Sequence, residues 1–397
     1  MPELVAKGLR IWLLAVCALA AGTSVAVAQT APSTSSLESA SSQASRYSIL
    51  SDALWGMGLD DLPERLDTAS AALAANPDSA EAHLQMGLAI SLANPRAVSL
   101  IKLQYEEALR LDPKMPRAYA LMGELLSAED DTEGTKRNYR AWLAFTPDDA
   151  QAHLSYAVAL ARLGQRPEAM VELERSLALR PTSAAYFSRA MASRDGPREA
   201  VLADFDRALV VGGNEAGIYR WRARLRWEWG ETDLALADVA KALAYAPDSL
   251  RLRQLRAEIN SNAGRYALAL AEFDTLIALH PNWPDLTNDR CWARAMAGVE
   301  LHKALADCDA VVEWEPDRPE GFDSRGLVKL RLGDLQGAIA DYDAALKQDP
   351  EAATSLFGRG VAKRRHGDKI GGDADLVAAR SLDPGIDKRF EGFGVAP

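Results

Sequence analysis

The sequence predicts an all-α solenoid, a fold in which pairs of antiparallel helices stack one after another. Three observations predict it: prolines recur at a regular interval, an amphipathic segment precedes each proline, and a glycine lies upstream of most of these segments. Five of the gaps between the prolines are 34 residues. The prolines are Pro77, Pro113, Pro147, Pro181, Pro247, Pro281, Pro316, Pro350 and Pro384. A period of this length indicates a repeat protein rather than the two or three separate domains that 397 residues would suggest.

Each period is predicted to contain two helices, which we call helix A and helix B. The segments before the prolines, such as 235–243 and 338–346, place apolar residues three and four positions apart, as an amphipathic helix B requires. A proline, or the pair Gly212-Gly213 in one period, ends helix B. A glycine marks the turn between helix A and helix B. These glycines are Gly164, Gly230, Gly264, Gly298, Gly333 and Gly367.

One position of helix A holds a small residue in every period, which we attribute to the close approach of antiparallel helices. The small residues are Gly87, Gly123, Ala157, Ala190, Ala223, Ala257, Cys291, Gly326 and Gly360. An aromatic residue recurs in helix B, at Tyr105, Tyr139, Phe205, Phe273 and Tyr342. Together with the closing proline, this pattern resembles the tetratricopeptide repeat over residues 47–384. The resemblance implies about ten repeats, the first of them divergent, in a right-handed superhelix whose inner groove is lined by helix A.

The first 28 residues have the features of an export signal. Lys7 and Arg10 precede an apolar stretch that ends in Ala26-Val27-Ala28, a small-x-small pattern that signal peptidases cleave. We expect cleavage and a periplasmic mature protein, the alternative being an uncleaved N-terminal membrane anchor. Residues 29–46 are rich in Ser, Ala and Thr, and they are predicted to be a disordered linker.

The ends of a repeat array need caps, because a terminal repeat has no neighbour to cover its apolar face. At the C-terminus we expect residues 385–397 to supply this cap, with Ile386, Phe390 and Phe393 over the last helix pair. Residues 47–76 are expected to cap the other end.

The composition argues against several classes of function. With 45 Lys and Arg against 56 Asp and Glu, the net charge is −11, and such a chain is a poor partner for nucleic acid. Five scattered histidines and three cysteines do not suggest a metal enzyme or a disulfide scaffold. The sequence contains no nucleophile-elbow, zinc-protease, phosphate-loop or dinucleotide motif. We therefore predict that the chain is not an enzyme and needs no cofactor.

Arginines and acids recur together from residue 182 onward. Helix A carries an arginine just before the small residue, at Arg189, Arg222, Arg256, Arg290, Arg325 and Arg359. Helix B carries an acid 15 to 17 residues later, at Asp204, Asp238, Glu272, Asp307, Asp341 and Asp375. We interpret these residues as ion pairs between the two helices, the alternative being a row of arginines that binds anions. In the earlier repeats Met86, Met122 and Tyr156 replace the arginine.

Cys291 and Cys308 take the small site and the aromatic site of one repeat. In an oxidising compartment they could form a disulfide between the two helices, and the alternative is a pair of buried thiols. The sequence leaves both open, because it does not fix the distance between the two Cα atoms.

The predicted binding surface is the face of helix A opposite the small residue. The candidate ligand-binding residues in this groove are Arg220, Arg224, Trp227, Trp292, Phe357 and Arg364, accompanied by Gln254, Glu258, Asn288, Asp323 and Val361. Tryptophan flanked by arginine is typical of binding hot spots, although Trp227 and Trp292 could instead pack between neighbouring repeats. The Lys, Asn and Arg set with which relatives hold a C-terminal carboxylate cannot be assembled across three adjacent repeats.

These observations predict a non-catalytic scaffold of the cell envelope that binds a protein or peptide segment in its groove. The alternative is a chaperone-like or regulatory module for an exported client. An enzyme or a glycan binder is the least favoured interpretation.

Overall fold

The computed structural model of this protein describes residues 62–397, and this part of the chain contains twenty helices and no strand. The predicted signal (1–28), the linker (29–46) and residues 47–61 lie outside the described residues. The chain divides into two compact units, the first ending at Gly213 and the second running from Asn214 to Pro397.

The first unit contains the helices α1 to α9. They are α1 (Leu62–Ala75), α2 (Ala80–Ala93), α3 (Val98–Leu111), α4 (Pro116–Ala128), α5 (Thr132–Phe145), α6 (Ala150–Arg162), α7 (Arg166–Leu179), α8 (Ser183–Ala192) and α9 (Arg198–Val211). The even-numbered helices correspond to the predicted A helices, and each packs against the B helix that follows it.

The second unit contains the helices α10 to α20. They are α10 (Glu215–Glu228), α11 (Thr232–Tyr245), α12 (Leu250–Asn262), α13 (Tyr266–Leu279), α14 (Pro284–Ala297), α15 (Leu301–Trp314), α16 (Pro319–Leu332), α17 (Leu335–Gln348), α18 (Ala353–His366), α19 (Lys369–Leu382) and α20 (Ile386–Gly392). Five A–B pairs are followed by the short helix α20, which contacts both helices of the last pair. The described residues thus have the all-α, paired-helix architecture that the sequence predicts.

The turns between helix A and helix B follow from local sequence. Helix α16 ends at Gly333, whose φ of 84° lies in the left-handed region that glycine adopts without strain. Asp334 then caps α17, because its carboxylate accepts a hydrogen bond of 2.9 Å from Gly337 N. A Cβ atom at residue 337 would collide with that carboxylate, which explains the glycine.

The small residues of helix A face the aromatic residues of helix B, as predicted. A Cβ atom built on Gly326 would lie 2.9 Å from Tyr342 Cε1, and Gly87 and Gly123 lie as closely against the rings of Tyr105 and Tyr139. These three tyrosines are buried. The close approach of the two helices therefore depends on the missing side chain.

We expect Gly326→Leu to destabilise the second unit by about 1–3 kcal/mol, because the new side chain overpacks the contact with Tyr342. Chemical denaturation measures the change. Gln348→Leu, at an exposed position of α17, is the control and should leave the free energy of unfolding within about 0.5 kcal/mol of the wild-type value. An unchanged stability of the Gly326 variant would contradict the close helix approach.

The predicted ion pairs form in all six repeats from α8 onward. Their shortest N–O distances are 2.6 or 2.7 Å, for the pairs Arg189–Asp204, Arg222–Asp238, Arg256–Glu272, Arg290–Asp307, Arg325–Asp341 and Arg359–Asp375. Since each guanidinium is paired with a carboxylate, these arginines are not the anion-binding row of the alternative interpretation.

Most of these acids also bind a second cation, which the sequence analysis missed. In four repeats it lies four residues after the arginine on helix A, at Arg226, Arg294, Lys329 and Lys363, with N–O distances of 2.6–2.9 Å. The signal was available as an i, i+4 pair of basic residues, which places both cations on one side of the helix.

Three of the arginines also contact the preceding repeat. Arg290, Arg325 and Arg359 bind an acid of the previous helix B at 2.7–3.0 Å, through Asp274, Asp309 and Asp343 respectively. The ion pairs therefore join successive repeats of the second unit as well as the two helices of one repeat.

Histidines take over this pairing in two repeats of the first unit. His153 Nδ1 lies 2.6 Å from Glu172 Oε2, and His83 Nδ1 lies 2.8 Å from Gln104 Oε1. The Nε2 atom of each ring faces the carbonyl oxygen of the proline that ends the preceding helix, at 3.0 and 2.9 Å. The two histidines therefore tie helix A to helix B and to the preceding turn.

Candidate functional site

The A helices of the second unit line its concave side. Helix α14 contacts α16, and α16 contacts α18, whereas consecutive B helices of this unit make no comparable contacts. In a stack of helix pairs, the helices that converge lie on the inner side of the curve. The inner face of the second unit is therefore built from side chains of helix A.

Two positions of helix A face this side, three residues before and one residue after the small residue. We call the side chains at these positions the helix-A row. Its members are Arg220, Arg224, Gln254, Glu258, Asn288, Trp292, Asp323, Leu327, Phe357 and Val361.

The C-terminal part of this row is covered by the end of the chain. The ring of Phe390 lies 4.5 Å from that of Phe357, and the ring of Phe393 lies 5.9 Å from that of Trp292. Arg331 donates hydrogen bonds to Phe393 O and, at 2.9 Å, to Ala295 O. Residues 386–395 therefore occupy the inner face over α14 to α18.

Because the end of the chain covers this face, three predicted groove residues are less exposed than the sequence predicts. Phe357 is 0% exposed, so its prediction as a surface binding residue is wrong: Phe390 shields it from any partner. Val361 is also buried, within the same apolar core. Trp292 is half-buried beneath Phe393. The sequence analysis expected an end cap, but not that it reaches back across two repeats.

Two further candidates have structural partners. Trp227 is half-buried and packs against the core that α10 to α12 form, as the alternative interpretation expected. Arg364 is exposed and pairs with Asp373 of α19 at 3.0 Å.

The part of the row on α10 is cationic. Arg220 and Arg224 are half-buried, and the guanidinium of Arg220 lies 5.5 Å from the ring centre of Trp221. Burial, together with the nearby charges of Arg251 and Arg224, lowers the pKa of Arg220. No described ion pair gives Arg220 a carboxylate partner, and the carboxylate of Glu228 is 3.9 Å from Arg224.

Acidic side chains follow on α12 and α14, where the row member Glu258 lies near Asp289, a residue beside the row. Glu258 is half-buried, and burial followed by repulsion from Asp289 raises the pKa of its carboxyl group. Burial likewise raises the pKa of Asp289, which accepts a hydrogen bond of 2.9 Å from Gln254 Nε2. Among the described ion pairs, neither carboxylate has a cation within salt-bridge distance.

Asp323 extends the acidic part onto α16. Its Oδ1 accepts a hydrogen bond of 2.5 Å from Ser355 Oγ, and burial raises its pKa to about 6. Like Glu258 and Asp289, it takes part in none of the described ion pairs. The row thus changes from positive to negative charge between α10 and α12.

We expect Glu258→Gln to stabilise the second unit at alkaline pH. Because folding raises the pKa of this carboxyl group, the folded state holds the proton more tightly than the unfolded state does. The free energy of unfolding therefore falls as pH rises above the unfolded pKa of about 4.3. The glutamine variant should match the wild type near pH 4.5 and exceed it by about 1–2 kcal/mol near pH 8.5. Melting curves at both pH values measure the difference, and a constant difference would contradict an unpaired carboxylate.

Cys291 and Cys308 are joined as a disulfide, and their Cα atoms lie 5.8 Å apart. The bond links α14 to α15. The closed loop is worth about 3 kcal/mol in the loop-entropy model, so we expect a reductant to lower the melting temperature of the second unit. Thiol labelling of the purified protein without reductant checks the pairing, and two reactive thiols at these positions would contradict it.

The first unit contains a separate surface cavity of about 450 Å³ between α5, α6 and α7. Its walls include Arg140, Tyr156, Glu168 and Glu172. Tyr156 stands where later repeats carry the ion-pair arginine, which leaves this space open. Two of these acids have close partners: Glu172 Oε2 lies 2.6 Å from His153 Nδ1, and Glu168 pairs with Lys136 at 2.6 Å.

Residues 62–397 contain neither a candidate metal site nor a helix that could span a membrane. No group of three or more His, Cys, Asp or Glu side chains in this range could hold a metal ion. None of the helices described has the length and apolar character needed to cross a membrane.

Comparisons with known proteins agree with the repeat pattern. A family model described as tetratricopeptide repeat matches residues 290–359, which span α14 to the middle of α18. The search against curated proteins gave no significant match.

Several solved structures are similar at low sequence identity. Yeast Tom70 has a TM-score of 0.49 and 16% identity, with 88% of this chain and 87% of that chain covered. A tetratricopeptide repeat protein from Parabacteroides merdae has a TM-score of 0.45 and 18% identity, covering 76% and 98%. A thermophilic protein of this type from Thermus thermophilus has a TM-score of 0.40 and 22% identity, covering 46% and 98%.

The assignment to this repeat family thus rests on the sequence positions and the helix pairing of this chain. The matched residues carry the small site, the aromatic site and the closing turn, and the same helix pairing recurs through the described residues on either side. Residues 290–359 thus match the tetratricopeptide repeat, and the described residues have the paired-helix fold of a tetratricopeptide repeat solenoid.

Proposed function

Tetratricopeptide repeats are protein-interaction modules, and we propose that this chain is a non-catalytic scaffold that binds a segment of a partner protein along the helix-A row. The bound segment lies over α10 to α16 of the second unit. The partner is a protein or peptide rather than nucleic acid, since the chain as a whole is acidic.

One observation supports this proposal most directly: the row and the adjacent Asp289 hold half-buried carboxyl groups that take part in none of the ion pairs among the described residues. Elsewhere in the second unit buried acids are paired, as Asp238 and Asp307 are. Glu258, Asp289 and Asp323 are the exceptions, and an unpaired carboxylate in a desolvated position destabilises the fold. A bound segment with complementary charges would supply the missing partners.

The test is affinity capture from cell-envelope extract with three full-chain baits. The first is the wild type, the second carries Arg224→Ala and Glu258→Ala in the row, and the third carries Asp233→Ala and Arg265→Ala. The third is a matched control, because Asp233 of α11 and Arg265, which directly precedes α13, form an exposed ion pair of 2.7 Å. A partner held by the first and third baits but lost from the second supports the proposal. A partner retained equally by all three contradicts it.

We also propose that the protein works outside the cytoplasm, with residues 1–28 removed on export. The apolar stretch and the Ala-Val-Ala sequence before Gln29 support this proposal. Mass determination of the protein from periplasmic extract should give a chain that begins at Gln29. A chain recovered from the membrane fraction that retains Met1 would support the anchor instead.

A further inference from the structure

The charge order of the helix-A row points to the kind of segment that it binds. We propose that the segment is an extended peptide with an acidic side chain over Arg220 and Arg224 and a lysine or arginine side chain over Glu258, Asp289 and Asp323. This inference rests on the proposed function and specifies the ligand of the same site.

The acidic half of the site has the acceptors that a cationic side chain needs. Gln254 holds Asp289 in place at 2.9 Å, and Ser355 holds Asp323 at 2.5 Å, so both carboxylates are fixed before a ligand arrives. A lysine ammonium donates three hydrogen bonds and a guanidinium five, and either could contact two carboxylates at once.

Asn288 adds an independent indication of a missing donor. It takes the position in the row between Gln254 and Asp323, is 9% exposed, and its Oδ1 atom accepts no hydrogen bond from the described residues. A buried acceptor without a donor is costly. An N–H group of the ligand that reached this atom would satisfy it.

The cationic half of the site lies directly beside the acidic half. Arg224 is close enough to Glu258 to lower the pKa of that carboxyl group, although burial outweighs this effect. The charge therefore reverses from α10 to α12. Helices α10 and α12 contribute to one apolar core through Ala223 and Leu255. A spacing of about 10 Å between neighbouring helices and an advance of about 3.3 Å per residue of extended chain place the two charges of the ligand about three residues apart.

Fluorescein-labelled octapeptides and fluorescence anisotropy test the proposal at low salt on the full chain. Two peptides carry two Glu and two Lys residues separated by Ala-Ala. One has the Glu residues first and the other has the Lys residues first, because the charge order of the row does not fix the direction in which the peptide chain runs. Two further peptides replace all four charges by Glu or by Lys. We expect one of the mixed peptides to bind at least tenfold more tightly than either single-charge peptide.

Charge-reversal variants show whether the row is responsible. Arg224→Glu with Glu258→Arg should weaken binding of the preferred mixed peptide at least tenfold, whereas Asp233→Arg with Arg265→Asp should not change it. If the reversed variant fails to fold by circular dichroism, Glu258→Gln with Asp289→Asn replaces it, with the same expected loss.

The outcomes separate this inference from the proposed function. Equal binding of mixed and single-charge peptides, binding that the row variants leave unchanged, or no peptide binding at all overturns the charge-ordered ligand. The proposed function survives that result if the captured partner is still lost from the Arg224 and Glu258 bait. It fails if that bait captures the partner as well as the wild type does.

Discussion

Asp238→Ala should destabilise the second unit by about 3–5 kcal/mol, the largest effect we expect from a single polar substitution in this protein. Asp238 is 1% exposed and accepts hydrogen bonds of 2.7–2.8 Å from Arg222 and Arg226. Removal of the carboxylate would take away the acceptor of three hydrogen bonds from two arginines, one of which, Arg222, is only 5% exposed. Chemical denaturation followed by circular dichroism measures the loss.

The matched control for this prediction is Asp233→Ala on the same helix. The Asp233 side chain is 83% exposed in its pair with Arg265, and exposed pairs contribute about 0–1 kcal/mol. A loss at Asp238 no larger than that at Asp233 would mean that the arginines find water or other partners. A double variant with Arg222→Met should recover part of the stability, because it removes one of the two buried cations that face Asp238.

Phe390→Ala should cost about 3–5 kcal/mol and expose the inner face over α16 and α18. Phe390 is fully buried against Phe357, and Val395 N donates a hydrogen bond of 2.9 Å to its carbonyl oxygen. Loss of the ring should therefore also loosen the end of the chain and uncover Trp292. Thermal melting and quenching of tryptophan fluorescence by acrylamide measure the two effects.

Lys388→Ala, on the exposed side of α20, controls for this substitution and should change neither measurement. The covering of the inner face would be in doubt if Phe390→Ala lost stability without any increase in tryptophan quenching. It would also be in doubt if the variant melted like the wild type.

The repeat architecture was predictable because its causes are local. The contact of Gly326 with Tyr342 and the ion pair of Arg325 with Asp341 each join the two helices of one repeat, so a fixed spacing in the sequence encodes them. The small residue recurs in every period and the ion pair in the six repeats from α8 onward, so each occurrence supports the others.

The candidate site was only partly predictable, because the exposure and the pairing of its side chains depend on contacts between repeats. Phe357 and Arg220 take the same position of helix A, yet Phe390 covers Phe357 while Arg220 stays accessible. The sequence placed Glu258 and Asp323 on the inner face but gave no sign that Asp289, at a different position of its repeat, joins them. Which acids lack a partner is decided by the neighbouring helices.

The arginines that bridge successive B helices have a consequence for how the second unit comes apart. Arg290, Arg325 and Arg359 each share their charge between two repeats. When one repeat unfolds, its neighbour loses a counterion, so the nearest-neighbour coupling of the array is strengthened over α13 to α19. This stretch should melt as one cooperative block rather than fray inward from its end, and added salt should weaken that cooperativity. A pulling or chaperone machine acting on the C-terminus would then meet an all-or-none barrier instead of a series of small steps.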